Sequence, residues 1–271
     1  MRHHLIKPKG ALKRYVDYYF IFENDAKLAT TCVDVFPSPG TSMIFTFGSN
    51  DIRFSSEKDK SLQRCADFAI DTFVLHKRKF VGPKDLGILI VCFKPWAIHN
   101  FIPFHIKEAP NQRIDLKDIY PLQIDQLEEQ LSGATSDSER IVVTETFLLS
   151  IFKEKHIDAK ILKAHSIIKQ SIGMMPVHDI AKKIDLSEKQ FNRKFIESTG
   201  ISPKLYSRLE RFYYAVMKMK QNDQSLTSIA LDAGYFDQSH FIHEFRSFTN
   251  TTPKAYLNNQ KDIFFGHPLN A

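Results

Sequence analysis

Hydrophobic positions along this chain change their period near residue 120. Before it, apolar residues come in short runs: Tyr15–Phe22, Met43–Phe47, Phe68–Leu75 and Leu86–Phe93. Each run is rich in aromatic or β-branched side chains and is bounded by charged residues, Pro or Gly, so each predicts a strand. Phe36-Pro37-Ser38-Pro39-Gly40 predicts a turn, and the polar stretch Ser55–Arg64 an exposed hairpin or loop. Lys94–Ile102 reads as a strand end entering a short helix, with Pro95 near its start. Short strands at this spacing indicate a small sandwich or barrel over residues 1–120.

After residue 120 the spacing becomes helical. Ile124, Leu127 and Leu131 form one stripe, interrupted at Gly133–Asp137. Val142, Phe147, Leu148, Ile151 and Phe152 form another between about Ser138 and Glu154. Amphipathic helices of this kind, here spanning 121–157, either pack on a sheet or pair with a second subunit. Lys155–Asp158 is the best domain boundary, and Ile161–Ile172 predicts a helix that ends at Gly173.

From about Val177 the chain states one pattern twice. Phe191-Asn192-Arg193-Lys194-Phe195 and Thr199-Gly200-Ile201-Ser202-Pro203-Lys204-Leu205-Tyr206 are answered by Phe241-Ile242-His243-Glu244-Phe245 and Thr249-Asn250-Thr251-Thr252-Pro253-Lys254-Ala255-Tyr256. The offset is 50 residues here but 49 at Ile180-Ala181 and Ile229-Ala230, so the second turn holds one extra residue. Such self-similarity marks a duplicated supersecondary unit. Each copy predicts helix, tight turn, helix: Ser187 and Asp237 are N-caps, and Gly200 and Asn250 are left-handed stops. Two short helices joined in this way form the helix-turn-helix, whose second helix enters the major groove.

If Phe191 and Phe195 face inward, Glu188, Lys189, Gln190, Asn192, Arg193 and Lys194 are left toward solvent. In the second copy Gln238, Ser239, His240, Ile242, His243 and Arg246 are left over. Arg suits guanine, Asn or Gln suits adenine, and Lys or Ser suits bases or phosphates. Taken alone, either face reads as ordinary solvated helix surface. Two such faces on duplicated units read as a DNA interface.

The run Gly234-Tyr235-Phe236-Asp237-Gln238-Ser239-His240-Phe241, with Phe245, Arg246, Thr252, Pro253 and Tyr256, resembles the signature of AraC-type transcription factors. The resemblance covers about 158–260. Asp185 and Asn250 stand where that family usually has Gly, and both tolerate left-handed backbone. The segments FPSPGTSMIFTFG and GILIVCFKPW look, more loosely, like the cupin-like sensor domain of one AraC-type subgroup. The resemblance implies an α+β two-domain protein: a β-rich, cupin-like N-terminal domain, then an all-α domain with two helix-turn-helix units joined by a linker helix, then a tail over 261–271. It also implies double-stranded DNA as partner, homodimerisation through the N-terminal half, a small-molecule effector, and RNA polymerase as a candidate further partner. The aromatic-rich strands (Tyr15, Tyr18, Tyr19, Phe20, Phe22, Phe45, Phe47, Phe93) and Trp96 would line an effector pocket, or else simply form the core.

Charge and chemistry narrow the picture further. The 271 residues carry a net charge of +6, with 43% hydrophobic and 25% charged residues, as in ordinary globular proteins. Residues 158–260 hold 15 Lys and Arg against 10 Asp and Glu, leaving 22 against 21 for the rest, so the excess base lies in the duplicated region. Cys32, Cys65 and Cys92 form no CxxC, and reduced thiols in a cytoplasmic protein are expected. No apolar run approaches the ~18 residues of a membrane span, and no signal peptide is evident. His76, His99 and His105 are scattered, His3 and His4 fall at a terminus expected to fray, and no catalytic set or phosphate loop appears. No metal, cofactor or enzymatic activity is therefore expected. An architectural DNA binder, or an enzyme with an attached DNA domain, are the other classes weighed.

Ser202-Pro203 starts a helix reaching about Lys220, with Leu205, Leu209, Phe212, Val216 and Met219 along it. At 1.5 Å per residue it spans about 27 Å, against about 34 Å for a turn of B-DNA. Such a linker would hold two recognition helices in successive major grooves, with modest DNA bending. Lys189, Asn192 and Arg193 would read one half-site, and Gln238, Ser239, His243 and Arg246 the other. Arg208, Arg211 and Lys254 are expected at phosphates or in structural contacts.

Overall fold

The apolar runs of the N-terminal half become strands with both faces covered. The computed structural model describes residues 2–24, 30–48, 51–55, 61–108, 111–221, 224–258 and 263–265. Its strands are β1 (Arg2–Ile6), β2 (Val16–Glu23), β3 (Thr30–Phe36), β4 (Thr41–Gly48), β5 (Arg53–Ser55), β6 (Gln63–Arg64), β7 (Phe68–Asp71), β8 (Arg78–Pro83), β9 (Leu86–Phe93), β10 (Arg113–Asp115) and β11 (Ile263–Phe265). One antiparallel sheet runs β1-β2-β9-β4-β7-β10, and a second runs β11-β3-β8-β5-β6, in which only the β11–β3 pairing is parallel. Along the larger sheet Tyr19, Ile21, Met43, Phe45, Leu89 and Val91 point one way, and Tyr18, Phe20, Ile44, Ile90 and Cys92 the other. Both sets are buried, which is why these strands read as continuous apolar runs rather than as alternation.

Helices cover one face of the larger sheet. Helices α1 (Pro121–Gly133) and α2 (Asp137–Ile151) bury Ile124, Leu127, Leu131, Phe147 and Leu148 against Phe45, Leu89 and their neighbours. Tyr19 donates to Glu145 at 2.8 Å across this layer. Of the two uses foreseen for these helices, packing on the sheet is therefore realised. His3 and His4, expected to fray, lie in a paired strand. β1 pairs with β2, His4 Nδ1 lies 2.9 Å from Asp137, and Arg2 joins the same carboxylate at 3.0 Å.

Buried charge ties the two sheets together. Asp71 of β7 accepts from Arg78 of β8 at 2.8 Å and from Arg113 of β10 at 3.0 Å, with all three side chains almost fully buried. Arg78 and Arg113 spend further donors on the carbonyls of Asn111 and Ala66, as buried guanidinium groups require. β1, β3, β8, β10 and β11, the last within the expected tail, were not foreseen, and β7 is shorter than its apolar run. β5 and β6 pair as the polar hairpin, whose residues 56–60 lie outside the described part.

The C-terminal half follows its helical pattern: α3 (Ala159–Gln170), α4 (Val177–Lys183), α5 (Glu188–Thr199), α6 (Pro203–Gln221), α7 (Leu226–Asp232), α8 (Gln238–Thr249) and α9 (Pro253–Asn258). Its core accepts rings from the N-terminal half. Phe73 meets Tyr206 edge-on at 6.4 Å, and Phe36 meets Tyr256 at 5.6 Å. His99 Nε2–H donates to the Ser198 carbonyl at 2.6 Å, and Gly200 is packed against Ile106.

His165 sits at the centre of this junction. Its ring is boxed by Trp96 at 5.1 Å, Phe195 at 4.6 Å and Tyr206 at 5.1 Å, and neither ring nitrogen has a hydrogen-bond partner among the described residues. Burial pushes its pKa down to about 3. The unfolded chain takes up this proton below about pH 6.5 and the folded chain resists, so stability is lost as pH falls from 6.5 toward 3. Going from pH 7.5 to 5 is expected to cost about 2 kcal/mol through His165. His165→Leu should flatten the dependence of the urea midpoint on pH, leaving the smaller slope of His99, whose pKa burial also lowers. An unchanged slope in the variant would disprove the assignment.

Candidate nucleic-acid interface

The duplication extends to individual hydrogen bonds. In the first unit Leu186 N–H closes the turn on the Ala181 carbonyl at 3.1 Å; in the second, Tyr235 N–H closes on Ala230 at 2.9 Å. Asp185 (φ 52°) and Gly234 (φ 76°) supply the left-handed residue of each turn, and Gly200 (φ 87°) and Asn250 (φ 55°) that of each helix end. Ser187 caps α5 in a reciprocal box with Gln190, and Asp237 caps α8 through His240 N–H at 2.7 Å. Thr199 and Thr249 each return their hydroxyl to the carbonyl four residues back, at 2.8 and 2.7 Å. Ser202 and Thr252 then cap α6 and α9. Each unit is thus a helix-turn-helix followed by a capped third helix.

These turns fix which side chains remain for a partner. On α5, Phe191 and Phe195 are buried, while Glu188, Lys189, Asn192 and Arg193 are exposed. On α8, Phe241, Phe245 and Phe248 are buried; Ser239, His243 and Arg246 are exposed, and Gln238 and Ile242 half-buried. Lys189, Asn192, Arg193, Ser239, His243 and Arg246 make no hydrogen bond or ion pair among the described residues. Gln238 receives a hydrogen bond from Thr227 at 2.9 Å, which holds it at the head of α8.

Residues 180–259 match the family described as a helix-turn-helix domain. The C-terminal unit is an AraC-type helix-turn-helix domain. Residues 4–115 match a second family, a domain of unknown function (DUF6597). An uncharacterized HTH-type transcriptional regulator of Staphylococcus aureus (strain MSSA476) is 27% identical over 89 residues, covering 33% of this chain and 12% of that protein. One from Haemophilus influenzae is 26% identical over 109 residues, covering 40% and 36%. The chain therefore matches well under half the length of these relatives. Among solved structures, ToxT from Vibrio cholerae aligns with 89% of this chain and 97% of its own at 15% identity and a TM-score of 0.49. An AraC-type DNA-binding protein from Chromobacterium violaceum aligns over 37% and 91% at 26% identity and a TM-score of 0.35.

Five of the side chains expected at DNA are otherwise engaged in the AraC-type domain. Gln190 completes the Ser187 cap, accepting from its backbone N–H at 3.0 Å. Lys194 pairs with Asp158 at 2.7 Å, a contact that, foremost among its partners, holds the Asp158 carboxyl below its usual range. His240 folds back on its own turn, against the Tyr235 ring and within 3.4 Å of Phe236 N–H. Arg208 donates to Glu244 at 2.8 Å and lies over Phe248, while Arg211 reaches the same carboxylate at 4.0 Å and lies over Tyr235. Both arginines thus take part in the α6–α8 contact, the structural role expected of them as one alternative. Lys254 is exposed at the start of α9. No helix is long and apolar enough to cross a membrane, and no group of three His, Cys, Asp or Glu is placed to hold a metal ion among the described residues.

Glu244 was overlooked because it looks like recognition-face charge. Its register shows otherwise: it lies three residues after Phe241 and four before Phe248, on the inward stripe. Glu244→Ala would leave two guanidinium groups facing the core. Arg208 is a third exposed and can turn to water, so a loss of about 2 kcal/mol is expected, below the 3–5 of a fully buried pair. Denaturant unfolding measures it.

Proposed function

We propose that the chain is a transcriptional regulator that reads DNA in two successive major grooves, using α5 for one half-site and α8 for the other. The observation that supports this most directly is α6, an unbroken helix of 19 residues that joins the two units. It is about 28 Å long at 1.5 Å per residue, close to a turn of B-DNA. Lys189, Asn192 and Arg193 would specify the first block. Gln238, Ser239, His243 and Arg246 would specify the second, and Lys254 would meet phosphate. Glu188, in the first turn of α5, suits a cytosine amino group.

The β-rich half is read as the effector-sensing module. Trp96, His99 and Ile106 press on α3, on the end of α5 and on Gly200, so a change in that half alters the footing of the first recognition helix. Homodimerisation is assigned to the outer face of α2, where Val142 and Leu149 are exposed one heptad apart. RNA polymerase is a fitting further partner for a regulator.

Selection of duplexes by the full-length chain should yield two blocks about one helical turn apart. A salt-sensitive but motif-free pool would instead indicate an architectural binder. Arg193→Ala is expected to weaken the selected site by about 1–3 kcal/mol and relax one base position. Sedimentation should show a dimer that Val142→Glu with Leu149→Glu converts to monomer; a wild-type monomer would refute the dimer.

A further inference from the structure

The extra residue of the second unit can now be identified. Asp185 and Leu186 correspond to Gly234 and Tyr235 at an offset of 49, because both turns close through the same hydrogen bond. The caps Ser187 and Asp237 correspond at an offset of 50. Between these lies Phe236, which has no counterpart in the first unit. It is also the most exposed large hydrophobic residue described, at 87%.

An aromatic ring left in water at the head of a recognition helix is not explained by the fold. It packs into no core, and deleting it would restore the turn of the first unit. Its backbone, by contrast, is fixed. Phe236 N–H donates to His240 Nδ1 at 3.4 Å, and the next residue, Asp237, caps α8. The ring therefore stands on a rigid base with only its two side-chain torsions free. Recognition helices enter the major groove by their N-terminal ends, and the apolar feature displayed there is the thymine methyl group.

We propose that Phe236 is a specificity-determining residue that lays its ring against the 5-methyl group of a thymine in the second half-site. This rests on the reading of α8 as a recognition helix. The two half-sites would then be read by different chemistry: the first by hydrogen bonds from Lys189, Asn192 and Arg193, the second by hydrogen bonds plus one apolar contact. A competing occupant is a partner protein. Leu231 and Met174 are also exposed, and Met174 abuts Gly234 in the same turn.

The test uses the full-length chain and its selected duplex, with each thymine of the second block replaced in turn by deoxyuridine, which lacks only the methyl group. At one position the wild type should lose about fourfold in affinity, the worth of one methyl group removed from water. Phe236→Ala should bind the thymine duplex at least that much more weakly and be indifferent to deoxyuridine at that position; Phe236→Leu should keep part of the preference. Thermal unfolding of both variants at the wild-type temperature confirms that an exposed side chain was removed without damage to the fold. Equal binding of wild type and Phe236→Ala to every duplex overturns the proposal and leaves the ring to a protein partner. A selection that returns no second block overturns the underlying reading of α8 as well, so the two failures are distinguishable.

Discussion

One helix is shared by two cores. α6 offers Tyr206 to Phe195 of the first unit at 5.6 Å, and Phe212 to Phe245 and Phe248 of the second at 5.5 and 5.0 Å. Both aromatic pairs, Phe191/Phe195 and Phe241/Phe245, are fully buried, and each ring is worth several kcal/mol if truncated. No Gly or Pro interrupts α6 after Pro203, and its buried stripe runs on through Leu209, Ala215, Val216 and Met219. The relative placement of α5 and α8 is thus set by side-chain packing on a continuous rod. On the proposed two-groove reading, a flexible linker would leave the two faces to find their grooves independently, losing entropy each time. A rod supplies that order before binding.

The same core receives the N-terminal half. Phe36 and Phe73 belong to the apolar cluster of the C-terminal domain, and His165 is enclosed partly by Trp96 from the other side. A buried histidine with both nitrogens unsatisfied is costly, and a hydrocarbon side chain would avoid that cost. The contact meets both units, but through different partners: His99 and Ile106 meet Ser198 and Gly200 at the end of α5, whereas Phe36 meets Tyr256 of α9. The two helix-turn-helix units are therefore alike in their own hydrogen bonds but unlike in their surroundings.

The duplicated region was largely legible in the sequence because its determinants are local. Caps, left-handed stops and Phe pairs four apart act within a dozen residues, so Ser187, Asp237, Asp185, Gly200 and Asn250 behave as their residue types suggest. The strands were legible only where both faces are apolar. β1, with the sequence RHHLI, and β8, with RKFVGP, look like polar connectors. Arg78 becomes a core residue because Asp71, seven positions earlier, and Arg113, thirty-five later, share its site across two sheets. Pairing of that kind leaves no periodic trace. Glu244, Arg208, Lys194 and Gln190 show the same limit at the interface. A charged side chain on a helix reads as available until the element packed against it is known.

That limit makes the unpaired residues more informative than the charged ones. Among the basic side chains of the helical half, Arg208, Arg211 and Lys194 answer to Glu244 and Asp158, so net charge alone overstates what is free to meet phosphate. On the outer faces of α5 and α8, Lys189, Arg193 and Arg246 have no such partner among the described residues. The two units follow one another along one chain and are joined by α6. With Phe236 present in one turn and absent from the other, the two faces are not interchangeable even where their frameworks match, and on the proposed reading a site bound by one chain has a direction.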